Sequence, residues 1–445
     1  MARDVALHRP VIIHWLPSFN QQRRTLAQVV ALLAWLAVAG PTAQAQKFSF
    51  GAEAKKAGVT AVADSARYTR ALGYGFEPGG TEQAFRFTVG LAQEGNYRVT
   101  IKVGDPSVAV QTTIRAELRR LMIESRDTAA GEVSEISFIV NTRTPFIAGG
   151  RGIAPGEVRL KAPRETTQES AAWDDALTLE FTSERRALRS LEITPVTVPT
   201  VFLLGDSTVC DQSKEPYSSW GQMLPRWFNR TIAIANHGES GETYRDSIGR
   251  RRLDKILSVM HPGDWLIMQF GHNDQKQIAA KTGGAATTYA AEIRKHVEAF
   301  RARGGVPIIV TPMERRGFDE AGKVRPSLLE YRNAAKNTAE ELGVACLDLN
   351  AMSTILYESL GPEKSADAFA KPQGRVDNTH HNNYGSYQLA QCILQSICEQ
   401  KLPLAQWISN DFKAYDPRKP DDLASFHFPA SAEVTHQRPL GDEAK

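Results

Sequence analysis

Hydrophobic and polar residues alternate along the first half of the chain, from Phe48 to about Val198. Shorter runs of the same kind lie at 136–140, 176–181 and 188–193, with Gly, Asn, Asp and Pro between them. Phe85, Phe87, Val89 and Leu91 face one way, and Tyr97, Val99, Ile101 and Val103 repeat the pattern after Glu94–Asn96. Short strands of period two, separated by turn residues, are typical of an antiparallel β-sandwich. We therefore expect a β-sandwich domain over residues 46–198.

The pattern changes after Thr200, where continuous apolar runs alternate with amphipathic stretches. The apolar runs, which predict strands, are Val201–Leu204, Ile232–Ala235, Trp265–Phe270, Val306–Val310 and Val344–Leu349. The amphipathic stretches, which predict helices, are Ser247–Met260, Tyr289–Arg303, Leu328–Leu342 and Tyr384–Gln400. This alternation predicts an α/β domain at residues 199–402, with a parallel sheet covered by helices on both faces. Residues 403–445 are polar and proline-rich, and we expect an irregular extension packed on the surface.

The N-terminal residues have the features of an export signal. Arg23 and Arg24 precede an apolar run, Leu26–Gly40, which is followed by Ala43–Ala45. A charged segment, a short apolar core and an Ala-x-Ala end are typical of a signal peptide. We expect cleavage after Ala45, which removes residues 1–45 and leaves an exported protein, periplasmic or extracellular, without a membrane span. The alternative interpretation is an uncleaved membrane anchor.

Composition narrows the class of protein. The chain has 445 residues, of which 42% are hydrophobic and 23% charged, as in an ordinary globular protein. Its formal net charge of only +3 gives no indication of a nucleic-acid partner. The densest basic run, Arg250–Arg252, predicts a solvated helix face, the alternative being a site for an acidic substrate. Cys392 and Cys398 lie on one predicted helix with their Cα atoms about 9 Å apart, too far for a disulfide.

The first candidate catalytic residue is Ser207. It lies in the segment Gly205–Thr208, directly after the first predicted strand of the α/β domain. Three later loops carry polar residues with the chemistry that such a serine needs: Asn236–Gly241, Gly271–Asp274 and Asp377–His380. Open α/β sheets bind ligands at the carboxyl ends of their strands, so we expect these loops to lie at one edge. Ser207 is therefore a candidate nucleophile.

The residue types in these loops fit acyl transfer. His380 is the candidate base that accepts the proton of Ser207, and Asp377 is the candidate carboxylate that orients the imidazole. The tetrahedral intermediate of such a reaction needs fixed hydrogen-bond donors for its oxyanion. The backbone N–H groups of Ser207 and Gly241 and the side-chain amide of Asn273 are the candidate donors.

These segments resemble the four sequence blocks of the SGNH/GDSL hydrolases, in the same order, and the resemblance covers about Val201 to Gln400. Asn236–Thr243 and Asp377–His380, with the Asn-Asn-Tyr-Gly that begins the next helix, are further similar to the rhamnogalacturonan acetylesterase subfamily. The resemblance implies a flavodoxin-like three-layer α/β/α fold with no metal and no cofactor. It also implies a serine esterase that removes acetyl groups from plant cell-wall polysaccharide or its oligosaccharides, with rhamnogalacturonan (pectin) as the substrate.

Some alternatives stay open within this interpretation. The block spacing favours His380 over the adjacent His381 as the base, and we expect Gly241 rather than Gly238 to be the oxyanion donor. Another SGNH esterase, such as a xylan deacetylase, lipase or thioesterase, would have the same blocks because fold does not determine substrate. From a different class, a carbohydrate-binding protein with an inactive hydrolase domain is the remaining alternative.

The N-terminal half resembles the galactose-binding-like sandwiches that accompany polysaccharide enzymes, more loosely, with Tyr74–Phe76 near its start. Trp173 and Tyr74 are candidates for stacking on sugar rings, since amphipathic aromatic residues suit that role. The alternative interpretation is a scaffold domain in which both aromatic residues belong to the core.

Overall fold

The structure is a computed structural model that describes residues 44–51, 57–431, 433–437 and 439. The expected signal peptide, residues 1–45, lies outside the described residues except for its last two, so its cleavage stays a prediction. Within the described ranges, no helix is both long enough and apolar enough to cross a membrane.

Two five-stranded sheets built by the first half of the chain pack face to face. The strands of this half are β1 (Gln46–Phe50), β2 (Thr60–Val62), β3 (Tyr74–Phe76), β4 (Ala84–Gly90), β5 (Gly95–Val103), β6 (Val110–Ala116), β7 (Arg120–Thr128), β8 (Ser134–Thr142), β9 (Phe146–Ile147), β10 (Gly156–Glu157), β11 (Ala176–Thr182) and β12 (Leu188–Pro195). One sheet has the order β2-β1-β12-β5-β8 and the other β3-β4-β11-β6-β7, while β9 and β10 pair separately. Neighbouring strands are antiparallel except β1 and β2. The predicted β-sandwich is thus confirmed.

The core of the sandwich contains the hydrophobic residues that the alternating pattern places on one face of each strand. Phe87 and Val89 of β4 meet Val99 and Ile101 of β5 in a single cluster between the two sheets. All four side chains are fully buried. Alternation therefore decided which residues point inward, as expected for a strand with one buried face.

The second half forms a five-stranded parallel sheet. Its strands are β13 (Thr200–Gly205), β14 (Ala233–Asn236), β15 (Trp265–Gln269), β16 (Val306–Val310) and β17 (Ala345–Leu347). Their order, β14-β13-β15-β16-β17, is the flavodoxin-like order 2-1-3-4-5. Successive residues of β13 enter different cores, Val201 and Leu203 on one face and Phe202 and Leu204 on the other. Both faces are therefore covered, and the predicted three-layer α/β/α fold is confirmed.

Helices connect these strands and cover the sheet. The α-helices are α1 (Trp220–Met223), α2 (Tyr244–Gly249), α3 (Arg252–Val259), α4 (Lys276–Ala279), α5 (Ala290–Arg301), α6 (Leu329–Leu342), α7 (Leu349–Lys364) and α8 (Asn383–Glu399). Shorter 3₁₀ and π turns are Arg164–Gln168, Ser170–Ala172, Arg185–Ala187, Leu224–Trp227, Ala285–Tyr289, Ser365–Ala368, Pro372–Gly374, Pro403–Trp407 and Leu423–Ser425. Helix α7 is kinked at Gly361, whose φ is 77°. The four cysteines are free thiols, and Cys392 and Cys398 both lie on α8.

The basic run Arg250–Arg252 differs from its prediction as a solvated helix face. The single helix expected over Ser247–Met260 is divided into α2 and α3 at Arg251, which has a φ of 64°. Arg252 is fully buried and its guanidinium pairs with Glu165 and Glu242. A buried charge that is not hydrated needs partners of opposite charge. The first half of the chain supplies one of these partners, Glu165. The run is a contact between the two halves.

The C-terminal extension is largely irregular and runs over the surface of both halves, as expected. The guanidinium of Arg115, on β6, lies 4.6 Å from the ring centre of Phe428. The hydroxyl of Ser431 donates to the carboxylate of Glu180 on β11 at 2.7 Å. The backbone N–H of Thr435 donates to the carbonyl of Glu215 in the second half. This extension therefore adds a connection between the sandwich and the α/β part.

Candidate active site

Ser207 lies in the turn directly after β13, at the carboxyl edge of the parallel sheet. Asp206 closes this turn, because its Oδ1 accepts hydrogen bonds from the backbone N–H of Thr208 at 3.0 Å and from its hydroxyl at 2.7 Å. The turn needs a glycine at position 205, since a Cβ on Gly205 would lie 2.4 Å from Cγ2 of Val209. Only 4% of Ser207 is exposed. Its hydroxyl is thus held within the protein, next to the imidazole of His380.

The ring of His380 joins Ser207 to Asp377. Its Nε2 lies 2.8 Å from Oγ of Ser207, and its Nδ1 lies 3.0 Å from Oδ2 of Asp377. The other carboxylate oxygen accepts hydrogen bonds from the backbone N–H groups of Thr379 at 3.0 Å and His380 at 3.1 Å. Burial raises the pKa of Asp377, but the hydrogen bond and charge of His380 outweigh it and hold this pKa at about 2. The carboxylate is therefore ionised at neutral pH and can stabilise an imidazolium.

The loop that carries His380 is fixed by backbone contacts before α8 begins. The N–H of Ala370 donates to the carbonyl of His380, and the N–H of Asp377 donates to the carbonyl of Ala370. Asn382 caps α8, since its Oδ1 accepts from the N–H of Gly385 at 3.0 Å. A capped helix start and a paired backbone together determine where the imidazole lies.

His381, the neighbouring histidine, has a different environment. Its Nε2 lies 2.9 Å from the hydroxyl of Tyr357, and its ring centre lies 4.2 Å from that of Phe369. Burial among these rings lowers the pKa of His381 to about 3, so the imidazole is neutral at physiological pH. Of the two adjacent histidines, the structure brings His380 to Ser207.

Gln212 ties the Ser207 turn to the loop that carries Gly241. Its Nε2 donates to the backbone carbonyl of Ser207 at 2.7 Å and to the hydroxyl of Ser240 at 3.3 Å. Gly241 itself has a φ of 73°, in the left-handed region that favours glycine. The two loops that contain candidate oxyanion donors are thus neighbours.

Asn273 links the third loop to the second. Its Nδ2 donates to the backbone carbonyl of Glu242 at 3.1 Å, and its Oδ1 accepts from Nζ of Lys276 at 3.1 Å. These two contacts determine the orientation of the amide. Because a primary amide has two N–H donors, the bond to Glu242 occupies one of them.

Gly238, the alternative oxyanion donor, has its N–H engaged elsewhere. That N–H donates to Oδ1 of Asn236 at 3.1 Å. The Nδ2 of Asn236 in turn donates to the carbonyl of Val209 at 2.7 Å and to Asp211 at 2.8 Å. The N–H of Gly238 thus belongs to a buried network that holds the loop.

Of the two aromatic residues considered for sugar stacking, Trp173 is buried and Tyr74 is partly buried against the core of the sandwich. Trp173 is 7% exposed, its Nε1 donates to Glu165 at 3.0 Å, and the guanidinium of Arg143 lies 4.4 Å from the centre of its ring. The ring of Tyr74 lies 5.2 Å from that of Phe48. For Trp173, the core interpretation is the one that the structure supports.

Gln212 and Lys276 were not selected from the sequence, although each lies close to a selected residue. Gln212 is five residues after Ser207, and Lys276 is three after Asn273. A polar residue a few positions from a candidate is a weak signal, so only the fold shows these contacts.

This arrangement has the components of acyl transfer by a serine. A hydroxyl, an imidazole and an ionised carboxylate are joined by contacts of 2.8 and 3.0 Å, within the range required of a nucleophile, its base and the group that orients it. Over the residues that the structure describes, no three His, Cys, Asp or Glu side chains are grouped as metal ligands.

Comparison with known proteins agrees with this chemistry. Residues 203–386 match the model of the GDSL-like Lipase/Acylhydrolase family. Rhamnogalacturonan acetylesterase RhgT of Bacillus subtilis (strain 168) is 36% identical over 215 residues, which cover 46% of this chain and 91% of RhgT. Probable rhamnogalacturonan acetylesterase YesY of the same organism is 31% identical over 210 residues, or 47% of this chain and 96% of YesY. The chain belongs to the GDSL-like lipase/acylhydrolase family and is a hydrolase of carboxylic esters.

A third relative extends beyond the α/β part. Uncharacterized esterase YxiM of Bacillus subtilis (strain 168) is 25% identical over 374 residues, which cover 80% of this chain and 91% of YxiM. The similarity between these two proteins therefore includes much of the first half of the chain as well.

Proposed function

We propose that the protein is an exported acetylesterase that removes acetyl groups from plant cell-wall polysaccharide, with rhamnogalacturonan as the polymer and Ser207, His380 and Asp377 as its catalytic residues. The observation that carries the catalytic part is the pair of contacts at His380, 2.8 Å to Ser207 and 3.0 Å to Asp377. The substrate is supported by RhgT and YesY, whose names assign them rhamnogalacturonan as substrate.

The first half of the proposed reaction transfers the acetyl group to Ser207. Nε2 of His380 accepts the hydroxyl proton as Oγ attacks the acetyl carbonyl carbon, and the C=O electron pair moves onto its oxygen. When the tetrahedral intermediate collapses, the bond between the carbonyl carbon and the sugar oxygen breaks. The proton on Nε2 passes to that oxygen, so the sugar leaves as an alcohol.

The second half releases acetate by the same route. His380 accepts a proton from water as the water oxygen attacks the acetyl carbon. When this second tetrahedral intermediate collapses, the bond between the acetyl carbon and Oγ of Ser207 breaks, and His380 returns the proton to Oγ. Asp377, whose pKa of about 2 keeps it ionised, stabilises the imidazolium in both halves. The N–H groups of Ser207 and Gly241 and the amide of Asn273 donate to the oxyanion.

The substrate is tested by comparing acetate release from acetylated rhamnogalacturonan, acetylated xylan, and short- and long-chain 4-nitrophenyl esters and thioesters. We expect the highest kcat/KM on acetylated rhamnogalacturonan. Faster release from acetylated xylan would make the protein a xylan deacetylase, and a preference for long acyl chains or thioesters would make it a lipase or thioesterase.

The mechanism is tested with Ser207→Ala, which removes the nucleophile. We expect this variant to lose hydrolysis of every ester in the panel. Ser425→Ala, in the exposed 3₁₀ turn of the extension, is the matched control and should retain full activity. Hydrolysis by Ser207→Ala would contradict the mechanism, and sugar binding by an inactive wild type would favour the carbohydrate-binding alternative.

The proposal that the protein is exported rests only on the expected signal peptide, residues 1–45. Cleavage after Ala45 would leave Gln46 as the first residue, and β1 begins at that residue. Cleavage there would therefore leave β1 complete. Mass spectrometry of the protein recovered from the periplasm or medium should give Gln46 as the N-terminus. An intact leader in a membrane fraction would favour the uncleaved anchor.

A further inference from the structure

The loop that carries Gly241 is held by a segment from the first half of the chain, residues 161–169. Nζ of Lys161 donates a hydrogen bond to the backbone carbonyl of Ser240 and lies 3.7 Å from Oε1 of Glu242. The side chain of Lys161 is 14% exposed and that of Glu242 is fully buried. The ammonium group is therefore shielded from water, where its interaction with the carbonyl is stronger than in bulk solvent.

Further contacts fix this segment against the loop. Arg164 pairs with Glu239 of the loop at 3.0 Å and with Glu169 of its own segment at 2.9 Å. The carboxylate of Glu165 accepts from the backbone N–H of Lys161 at 2.8 Å. Lys161 is thus anchored at its own backbone as well as at its side chain, and its position follows from the fold of the segment.

The carbonyl that Lys161 holds belongs to the same peptide group as the N–H of Gly241. This group, formed by Ser240 C=O and Gly241 N–H, is planar, so holding its oxygen also fixes the direction of its N–H. A cation at the oxygen also draws electron density from the nitrogen, which makes the N–H a stronger donor. Lys161 therefore acts on the N–H of Gly241 without contacting it.

Asn273, the other candidate oxyanion donor outside the Ser207 turn, is also held through residues 161–169. Nδ2 of Asn273 donates to the carbonyl of Glu242. The carboxylate of Glu242 is bound by Nε of Arg252 at 2.8 Å, and Nη2 of Arg252 donates to Glu165 at 2.7 Å. The segment thus supports Glu242 from two directions, through Lys161 and through Arg252.

We propose that Lys161 is a positioning residue of the oxyanion site, which directs and strengthens the N–H of Gly241 by holding the carbonyl of Ser240. The first half of the chain then supplies part of the catalytic machinery. This inference rests on the proposed function, in which the N–H of Gly241 stabilises the oxyanion.

The kinetic test compares wild type, Lys161→Met and Lys161→Arg on 4-nitrophenyl acetate. Loss of a whole oxyanion donor costs about 10²–10³ in rate, and Lys161 acts on one donor indirectly, so we expect kcat of Lys161→Met to fall by about ten-fold. KM should stay unchanged, because the hydrogen bond from the N–H of Gly241 to the substrate oxygen strengthens only in the transition state. Lys161→Arg, which retains the charge, should recover most of the lost kcat.

Inhibition by methylboronic acid distinguishes an effect of Lys161 on the oxyanion site from a purely structural role, which would leave the inhibition constant unchanged. Methylboronic acid forms a tetrahedral adduct with the serine hydroxyl and places an oxygen where the oxyanion develops. Its inhibition constant for Lys161→Met should rise by the same factor by which kcat falls. Glu124→Gln is the matched control: it removes the charge from another contact between the halves, to Arg226 at 3.1 Å and to Tyr387 at 2.8 Å, and should leave kcat and boronate affinity unchanged.

The outcomes separate this inference from the proposed function. Unchanged kcat and boronate affinity in Lys161→Met, with Ser207→Ala inactive, would overturn the role of Lys161 alone, as would an equal loss in Glu124→Gln. Activity in Ser207→Ala would overturn the proposed function. If circular dichroism shows that Lys161→Met does not fold, Lys161→Gln keeps a donor without the charge and should give an intermediate kcat; wild-type values there would overturn the inference.

Discussion

Nε2 of His380 lies 2.8 Å from Oγ of Ser207, although 173 residues separate the two along the chain. Ser207 comes from the turn after β13, and His380 from the loop before α8. The parallel sheet brings the two together, because the loop before its last helix lies at the same edge as the turn that follows its first strand.

The carboxylate of Asp377 should be needed for its charge as well as its position. Asp377→Asn keeps the size of the side chain but no longer stabilises an imidazolium, so we expect kcat to fall by about 10³–10⁴ with KM little changed. Steady-state kinetics on 4-nitrophenyl acetate measure this. The control is Asp367→Asn, whose side chain is 44% exposed and pairs with Lys371, and it should keep wild-type activity. Wild-type activity in Asp377→Asn would show that His380 works without its carboxylate.

The amide of Asn273 should contribute mainly to kcat. Asn273→Ala removes one donor to the oxyanion, and we expect kcat to fall by about 10²–10³ while KM stays close to that of the wild type. The same kinetic assay separates the two constants. A rise in KM at constant kcat would instead mean that Asn273 binds the substrate before the reaction.

Gly205 should tolerate no larger side chain. In Gly205→Ala the new Cβ would lie 2.4 Å from Cγ2 of Val209 and 2.5 Å from the carbonyl oxygen of Gln269, so the Ser207 turn must shift. We expect the free energy of unfolding to fall by about 1–3 kcal/mol, with a loss of activity, as measured by urea titration and ester hydrolysis. Gly249→Ala has no atom within 4 Å of the new Cβ and serves as the control. Equal stability of the two variants would contradict the prediction.

Burial of His381 should make the protein less stable in acid. Because burial lowers the pKa of His381 to about 3 from an ordinary 6.5, the unfolded chain binds more protons between these values. The contribution of this group to stability is therefore present above about pH 6.5 and is lost as pH falls towards about 3. His381→Gln retains a hydrogen-bonding group for Tyr357 but cannot titrate.

We accordingly expect the free energy of unfolding of wild type, from urea titrations, to fall more steeply between about pH 7 and about pH 4.5 than that of His381→Gln. Taking the difference between the two proteins cancels the effect of the other buried histidines. Parallel pH dependences would show that His381 does not couple folding to proton uptake.

Local patterns predicted the elements of the fold well, and the exceptions have identifiable causes. Val201–Leu204 is apolar because both faces of β13 are covered, and the same pattern recurs in the other parallel strands. The expected helix Ser247–Met260 is interrupted at Arg251, whose guanidinium binds the carbonyls of Ala154 and Pro155. Contacts to a segment nearly a hundred residues away leave no local signal.

The amino-acid sequence by itself determined the strands, most of the helices and the chemical groups at the edge of the parallel sheet, since period and turn residues act locally. It placed Ser207, Asn273 and His380 in loops after or between these elements. Only the tertiary structure decided that Lys161 reaches the carbonyl of Ser240 and that Arg252 is buried. Such pairs depend on how the two halves of the chain pack together, and the burial of a charge is decided by the partners that this packing supplies.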